Sequence, residues 1–448
     1  MNIKRFLPVF AATLLVAVSS VSCSKDDVIS VGKMSFSQSS IVLFCGESAQ
    51  LSVIYKEFNG NFYETSDYDL VKNPKGATLK SSDESVATVS ADGVVTAGKK
   101  AGSATITLSC PKVDSAVIRV DVKEDESTKT YTFNQDLGQP LTKDMIVLPV
   151  GIVHATMQGL DIDKYGNFYI AWEETENMKV RKFTPDGEAV GADMVLPVSG
   201  HGDGFSIEQD GDACYFWTTG SLGEPNGGYS GSTPNDNAVR LICRFKFEPG
   251  TTKYTEDAEE LFYINEKGCR ISDIDTEHGR LACWGRDNSE FVKVYDTADI
   301  RKGGKKTFTV TRTQKHANTV VAYDLNDVKE LGTIRWNRNV VCGNSAEHGM
   351  YAVQGFCVYD DKVYVEAGFK DEAYATISVL DFNGNVLQTR TPVGVSRDKQ
   401  ALIKFDVSSN GTFEPEGIHI RKGEMYLGFV GDYSVANAKK HACIIKLK

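Results

Sequence analysis

The chain has 448 residues, of which 41% are hydrophobic, so it is long enough for two or three domains with ordinary cores. Its formal net charge of -11 at pH 7 argues against nucleic acid as a partner and against binding through a basic membrane patch, because phosphates would be repelled. Its ten cysteines include no CxxC pair and no Cys/His cluster with zinc spacing, and we predict neither a metal nor a cofactor.

Residues 1–22 have the pattern of an export signal. Lys4 and Arg5 precede an apolar run that is too short for a comfortable membrane span, and small residues lead up to Cys23. Small residues directly before a cysteine resemble a lipobox, so we predict that Cys23 is lipidated and forms the mature N-terminus. A plain secretory peptide with an incidental cysteine is the alternative. Removing residues 1–22 would change the net charge from -11 to -13.

Residues 23–30 are predicted to be a tether. Their acidic start, SKDD after the cysteine, resembles the tag that sends lipoproteins of some Gram-negative bacteria to the outer face of the outer membrane, although an acidic run also suits a solvated linker. We therefore expect a lipid-anchored, surface-exposed protein whose only contact with the membrane is its lipid.

Residues 31–123 contain short alternating strands separated by polar turns, which predicts a β-sandwich. The run SVATVSADGVVTA, followed by GSATIT, resembles the bacterial Ig-like domain of group 2, and we expect a type I′ turn at Asp92-Gly93. The resemblance implies a stalk or adhesion module without catalytic residues, and a spacer is the simpler interpretation. Cys45 and Cys110 lie in this unit, and whether they form a disulfide stays open.

After a charged linker at residues 124–129, residues 130–448 repeat one hairpin pattern five times. The copies are QGLDIDKYGNFYIAW from Gln158, DGFSIEQDGDACYFW from Asp203, RISDIDTEHGRLACW from Arg270, QGFCVYDDKVYVEAG from Gln354 and EGIHIRKGEMYLGF from Glu416. A second series of strands alternates with them, giving four strands per repeat. We predict an all-β chain in which an Ig-like sandwich precedes a five-bladed β-propeller, and we expect Thr130 to Phe133 to close the ring beside the final ACIIKLK strand.

Aligning the copies puts five polar residues at one place, which we call position one of the repeat. Because the first strand of a propeller blade is the innermost, these side chains are predicted to gather at the mouth of the central channel, with further polar residues just before them in four of the loops leading into the blades. The position-one residues are Gln158, Asp203, Arg270, Gln354 and Glu416, and the preceding residues are His154, His201, His348 and Glu414. Such a ring suits ligand binding, and equally a lining of side chains that satisfy one another.

Catalysis at this mouth is an open alternative, with a histidine as base and Arg270 neutralising a uronate, or with two carboxylates acting as in a glycosidase. The Asp-x-Asp pairs at Asp161 and Asp273 are interpreted as turn residues rather than calcium ligands.

Three tryptophans, Trp172, Trp217 and Trp284, end the second strand of their repeats. Aligned indoles are possible platforms for stacking sugars, although packing between blades is the simpler interpretation.

The motifs MQGLDID, GHGDGFSIE, VQGFCVYDDKVYV and EPEGIHI resemble the five-bladed propeller shared by teichoic acid biosynthesis protein C-like proteins, helveticin J-like proteins and a phage receptor-binding protein. The resemblance covers roughly residues 130–448 and implies binding of a cell-surface glycopolymer without established catalysis. The Ig-like unit and the Gram-negative type of signal depart from that pattern, so the ligand is not carried over. We expect a surface lipoprotein that binds a polysaccharide or glycoconjugate; the alternatives are a polysaccharide lyase or glycoside hydrolase, and a protein-binding adhesin or scaffold with a partner protein at the cell surface.

Overall fold

The computed structural model describes residues 32–58, 63–111, 113–125, 129, 131–133, 146–150, 156–174, 177–197, 199, 204–211, 213–223, 239–264, 269–286, 290–345, 349–350, 352–368, 375–393, 413–431 and 442–447. The described part is almost entirely β, as predicted. The predicted signal, the tether with Cys23, and the residues His154, His201, Asp203 and His348 lie outside it.

The N-terminal part is a pair of sheets that we call the sandwich. A seven-stranded sheet has the order β5-β4-β1-β10-β9-β6 with β2 also paired to β10, and a three-stranded sheet has the order β3-β8-β7. The strands are β1 Lys33–Phe36, β2 Ser40–Phe44, β3 Ser48–Gln50, β4 Val53–Phe58, β5 Tyr63–Tyr68, β6 Thr78–Ser81, β7 Ala87–Val89, β8 Val94–Ala97, β9 Gly102–Cys110 and β10 Val113–Lys123. Alternate side chains of β9 are buried, so one face of each sheet forms the core.

Five antiparallel sheets follow, and each repeated hairpin supplies the first two strands of one sheet. Sheet 1 contains β12 Thr156–Ile162, β13 Phe168–Glu174, β14 Asn177–Phe183 and β15 Ala189–Leu196. Sheet 2 begins with β16 Ser206–Asp210, β17 Ala213–Ser221, β18 Arg240–Lys246 and β19 Glu260–Tyr263. Sheet 3 contains β20 Cys269–Asp275, β21 Arg280–Arg286, β22 Glu290–Asp296 and, later in the chain, β25 Glu330–Arg335. Sheet 4 contains β28 Ala352–Tyr359, β29 Lys362–Gly368, β30 Thr376–Asp381 and β31 Val386–Pro392. Sheet 5 contains β32 Phe413–Arg421, β33 Glu424–Gly431, β34 Ala442–Leu447 and the earlier strand β11 Ile146–Val150.

The first strands of the five sheets contact one another in cyclic order, β12 to β16 to β20 to β28 to β32 and back to β12. We call this arrangement the ring. Its closing strand differs from the prediction, because β11 at Ile146–Val150, and not residues 130–133, pairs with β34. The apolar run IVLPV lies beside ACIIKL over five register pairs, whereas Phe133 packs as a buried side chain between sheets 4 and 5.

An insertion in sheet 3 extends sheet 2. Between β22 and β25 the chain forms the hairpin β23 Lys305–Thr309 and β24 Thr319–Asp324, and β24 pairs in parallel with β19. Sheet 2 therefore has six strands, and its outer edge is covered by residues from its neighbour. The remaining short elements are two 3₁₀ turns, Thr255–Asp257 and Leu325–Asp327, the helix α1 Arg338–Val341, and the two-residue strands β26 Asn344–Ser345 and β27 Gly349–Met350.

The turn between β7 and β8 is not of the predicted type I′. A type I′ turn requires positive φ at both central residues, but in the hairpin from β7 to β8 only Gly93 has positive φ, at 88°. Its N–H donates to Ser90 O at 3.1 Å. Gly187 and Gly384 close the corresponding turns of sheets 1 and 4 in the same way.

The sandwich contacts one end of the ring. We call this the lower end, and it carries the turns between the first and second strands of each sheet. Lys164 Nζ lies 2.7 Å from Glu47 Oε1, and the rings of Phe44 and Tyr165 are 5.6 Å apart. Arg119 also bridges to Asp186 of sheet 1 at 3.0 Å. The upper end, where the first strands begin, therefore points away from the sandwich.

The segment at residues 131–133 crosses the same lower end. His278 Nε2 and Tyr359 Oη lie 3.0 and 3.3 Å from the carbonyl oxygen of Tyr131. His278 Nδ1 lies 2.6 Å from Asp275 Oδ2, so both ring nitrogens face acceptors. Phe133 then packs edge-on against Tyr364. These contacts fasten the connection between the two units to sheets 3 and 4.

Candidate functional site

A β-bulge recurs at position one of the repeat. The register shifts between Met157 and Gly159 in sheet 1, between Cys269 and Ile271 in sheet 3, and between Val353 and Gly355 in sheet 4. In sheet 5 it shifts between Pro415 and Ile418. The bulged residues are thus Gln158, Arg270, Gln354 and the Glu416-Gly417 pair. A bulge changes the direction of a side chain and interrupts strand pairing, so position one has the same local irregularity in the four sheets where it is described.

The structure brings part of the predicted mouth together. Gln354 Nε2 donates to Glu414 Oε1 at 3.0 Å and so joins sheets 4 and 5. Gln158 and Glu416 are buried, each 5% exposed, whereas Gln354 and Glu414 are half-buried. Arg270 lies on β20, but its side chain, like His154, His201, Asp203 and His348, falls outside the described part.

The bulge in β32 lies at Glu416, two residues after Glu414. Two residues, Glu416 and Gly417, oppose the single residue Gly428 on β33, so the regular alternation that would place Glu414 and Glu416 on one face is interrupted at Glu416. Gly417 has a φ of 145°, a conformation that L side chains rarely adopt. A glycine after position one therefore permits the bulge here.

A second series of contacts involves position four of the repeat, which the sequence alignment contains but which sequence reasoning passed over. In three successive sheets its side chain accepts the backbone N–H of position five in the next sheet. Asp161 Oδ2 accepts from Ile207 at 2.5 Å, Ser206 Oγ from Ile274 at 2.9 Å and Asp273 Oδ2 from Val358 at 2.7 Å. We call these contacts the clasps. They join sheets 1 to 2, 2 to 3 and 3 to 4.

At the other two steps position four holds Cys357 and His419. His419 Nε2 lies 2.7 Å from Asp161 Oδ1, at ion-pair distance but without the alignment of a hydrogen bond, and joins sheet 5 to sheet 1. Burial alone would lower the pKa of His419, but the carboxylate of Asp161, followed by that of Asp273, outweighs burial, and the pKa is raised. Burial raises the pKa of Asp273 to about 7, partly offset by His419. The ring axis thus holds titratable groups from sheets 1, 3 and 5.

The three tryptophans do not share one register position. Trp172 pairs with Met157, the residue immediately before position one. Trp284 pairs with Ile271 at position two, and Trp217 pairs with Ser206 at position four. All three are at most 4% exposed. Trp217 stacks on a phenylalanine ring and donates to Glu208, and Trp284 packs edge-on against a fourth tryptophan. The alignment by sequence is therefore corrected, and burial leaves no open indole face for a sugar on these residues.

The two aspartates of each Asp-x-Asp pair make different contacts. Asp163 accepts the backbone N–H groups of Tyr165 and Asn167, and Asp275 accepts those of Glu277 and His278, as turn residues do. The first aspartate of each pair forms a clasp instead. Among the described residues no group of three or more His, Cys, Asp or Glu side chains is arranged to hold a metal ion.

Cys45 and Cys110 are free thiols, and Cys110 Sγ contacts Lys75 O at 3.3 Å. Within the described ranges, no helix is both long and apolar enough to cross a membrane.

Comparison with known proteins finds only distant similarity to solved structures. No protein-family model and no curated protein matches the chain. Among solved structures, a GH43_1 enzyme from Xanthomonas citri has 9% identity and a TM-score of 0.34 over 68% of this chain and 91% of its own. The Dos1 propeller has 8% identity and a TM-score of 0.30 over 93% and 94%. A protein of unknown function from Bacteroides thetaiotaomicron VPI-5482 has 12% identity and a TM-score of 0.27 over 91% and 95%. Similarity this low does not identify a ligand or an activity.

Proposed function

We propose that the chain is a glycan-binding surface protein in which the ring is a five-bladed β-propeller and its upper end is the binding mouth. The observation that carries this proposal is the bulge at position one, which recurs in every sheet where that position is described. Bulges next to strand ends commonly re-aim side chains toward a site. Here they act on two amides, a guanidinium group and a carboxyl group, all of which can bond the hydroxyl groups of a carbohydrate.

We further propose that Cys23 carries a lipid anchor in the outer membrane and that the sandwich is a bacterial Ig-like spacer. The contacts at the lower end support this arrangement, since a protein anchored through the sandwich would present its upper end outward. The histidines predicted around the mouth, His154, His201 and His348, remain part of the proposal.

Calorimetric titration of residues 24–448 with a panel of polysaccharides tests the binding function. We expect saturable binding, weakened about fivefold by Gln354→Ala, because one lost hydrogen bond to a ligand or to Glu414 is worth about 1 kcal/mol. Glu248→Gln, which changes an exposed glutamate paired with Lys253, is the matched control and should bind as the wild type does. A wild-type protein that binds no member of the panel would contradict the proposal.

A polysaccharide hydrolase or lyase is a second candidate. Glu414 and Glu416 lie two residues apart on β32, and burial raises the pKa of Asp273 to about 7, which suits proton exchange at neutral pH. Product analysis in the same incubations separates the candidates. New reducing ends or unsaturated sugars would establish the enzyme, whereas binding without products would establish the binding protein.

A further inference from the structure

We call the contact between sheets 4 and 5 the seam, and it differs from the corresponding contacts between other sheets by a buried carboxyl group. Glu366 on β29 is directly opposite Gly355 and is fully buried, with an exposed fraction of 0%. The equivalent partner in sheet 1 is Ala171, and in sheet 3 it is Trp284, which packs against Phe356 of sheet 4. A carboxyl group therefore takes the place of apolar side chains at this seam.

Glu366 contacts both bulges of the seam. Its Oε2 accepts the N–H of Gly417 at 3.3 Å, and a Cβ on Gly355 would lie 2.9 Å from the same oxygen and 2.8 Å from the backbone N of Ile418. Gly355, which follows Gln354, thus leaves the space that the carboxyl group occupies. One step away, the Gln354–Glu414 hydrogen bond crosses the same seam.

The carboxyl group is incompletely satisfied. Oε1 of Glu366 has no hydrogen-bond partner among the described residues, and the one bond to Oε2 is long. Burial raises the pKa of Glu366 well above its ordinary value, opposed only by the Gly417 N–H. A buried carboxyl group that is protonated carries an O–H donor, and buried polar groups without partners are found where a ligand or water completes the site.

We propose that the seam between sheets 4 and 5 is the ligand subsite of the mouth, with Gln354 and Glu414 at its rim and Glu366 buried beneath them as a hydrogen-bond donor to a ligand oxygen or bound water that enters between the two bulges. The partner chemistry is an uncharged oxygen acceptor, the hydroxyl or ring oxygen of a neutral glycan. The carboxyl groups of Glu414 and Glu416 nearby disfavour an anionic sugar such as a uronate. This inference rests on the proposed glycan-binding function and assigns its location and ligand class.

The test compares Glu366→Gln with Glu366→Leu in calorimetric titrations with neutral cello-, malto- and galacto-oligosaccharides and with polygalacturonate fragments. Gln keeps a donor of the same shape, so we expect binding within about threefold of wild type, whereas Leu removes the donor and should weaken binding about tenfold or more. Leu should change the free energy of unfolding little, because the loss of the long bond to the Gly417 N–H is offset by the removal of a poorly satisfied buried carboxyl group.

The outcomes separate the two levels of proposal. If the wild type binds no probe, the proposed function fails, and the subsite with it. If the wild type binds and Glu366→Leu binds equally well, or if polygalacturonate is preferred, the subsite assignment alone is wrong. Should Glu366→Leu not fold, Gln354→Leu at the rim carries the same expectation. An infrared difference spectrum between wild type and Glu366→Gln at pH 7 must also show the carbonyl band of a protonated acid, and a carboxylate band would overturn the donor role.

Discussion

Asp161 and His419 join the first and last sheets of the ring, with Nε2 of the histidine 2.7 Å from Oδ1 of the aspartate. Both residues occupy position four of their repeats. The same aspartate also accepts the backbone N–H of Ile207, so one carboxylate connects sheet 1 to both of its neighbours. Closure of the ring therefore includes an ionic contact, whereas three of the other four steps have hydrogen-bonded clasps at this position.

Replacing His419 with Gln should destabilise the protein most at acidic pH. The pKa of His419 is raised in the folded state, so its stabilising charge is fully present below the ordinary histidine pKa of about 6.5 and is lost as pH rises through the raised value. Removing one partner of a buried ion pair costs about 3–5 kcal/mol. Urea unfolding at pH 5.5 and pH 9 should show a difference between wild type and variant that shrinks at the higher pH. His316→Gln, which changes an exposed histidine near Asp257, is the control, and a difference independent of pH would refute the assignment.

Replacing Asp273 with Asn should flatten the stability profile between about pH 4 and pH 7. The pKa of Asp273 is raised to about 7 by burial, so the folded state holds a proton that the unfolded state releases, and the free energy of unfolding falls as pH rises through this window. The variant should be more stable than wild type at pH 8. Asp381→Asn provides a control of opposite sign, because hydrogen bonding to Asn385 lowers the pKa of Asp381. Parallel profiles for wild type and Asp273→Asn would count against the prediction.

Ser206→Ala tests the clasps. Removing the hydroxyl leaves the buried N–H of Ile274 without this partner, which should lower the free energy of unfolding by about 1–3 kcal/mol. Ser272, at position three of the next sheet, is a buried serine whose hydroxyl has no partner in the described structure, so Ser272→Ala should be neutral or slightly stabilising. Equal effects of the two substitutions in chemical unfolding would mean that the clasp contributes nothing.

Phe44→Ala tests the contact between the sandwich and the ring. The Phe44 ring packs against Tyr165 and under the ammonium group of Lys422. Truncation of Phe44 should therefore weaken the contact between the sandwich and the ring without unfolding either unit. Limited proteolysis should then cut the connection at residues 124–129 several times faster than in wild type. Val117→Ala, at an exposed apolar residue of the sandwich, is the control. Unchanged cleavage together with unchanged solution scattering would show that Phe44 does not hold the units together.

The all-β class was predictable from sequence, because alternation of apolar residues and glycine-containing turns are local properties. Each of the five repeated segments forms a hairpin, as the sequence predicts. The bulge at position one was not predictable from one strand, because it depends on how two strands align. The same dependence on register explains why Trp172, Trp217 and Trp284 look equivalent in sequence but occupy three different positions.

By itself the sequence determined where the hairpins and the polar repeat positions lie, since side-chain alternation and turn chemistry act within a few residues. Only the tertiary structure decided which distant segments meet. It selected Ile146–Val150 as the closing strand, because that run pairs with Ala442–Leu447 across the chain. It also placed Glu366, which lies inside an apolar strand, at the seam with Gly417. A carboxyl group acquires its chemistry from burial and neighbours, and those exist only once the sheets have packed together.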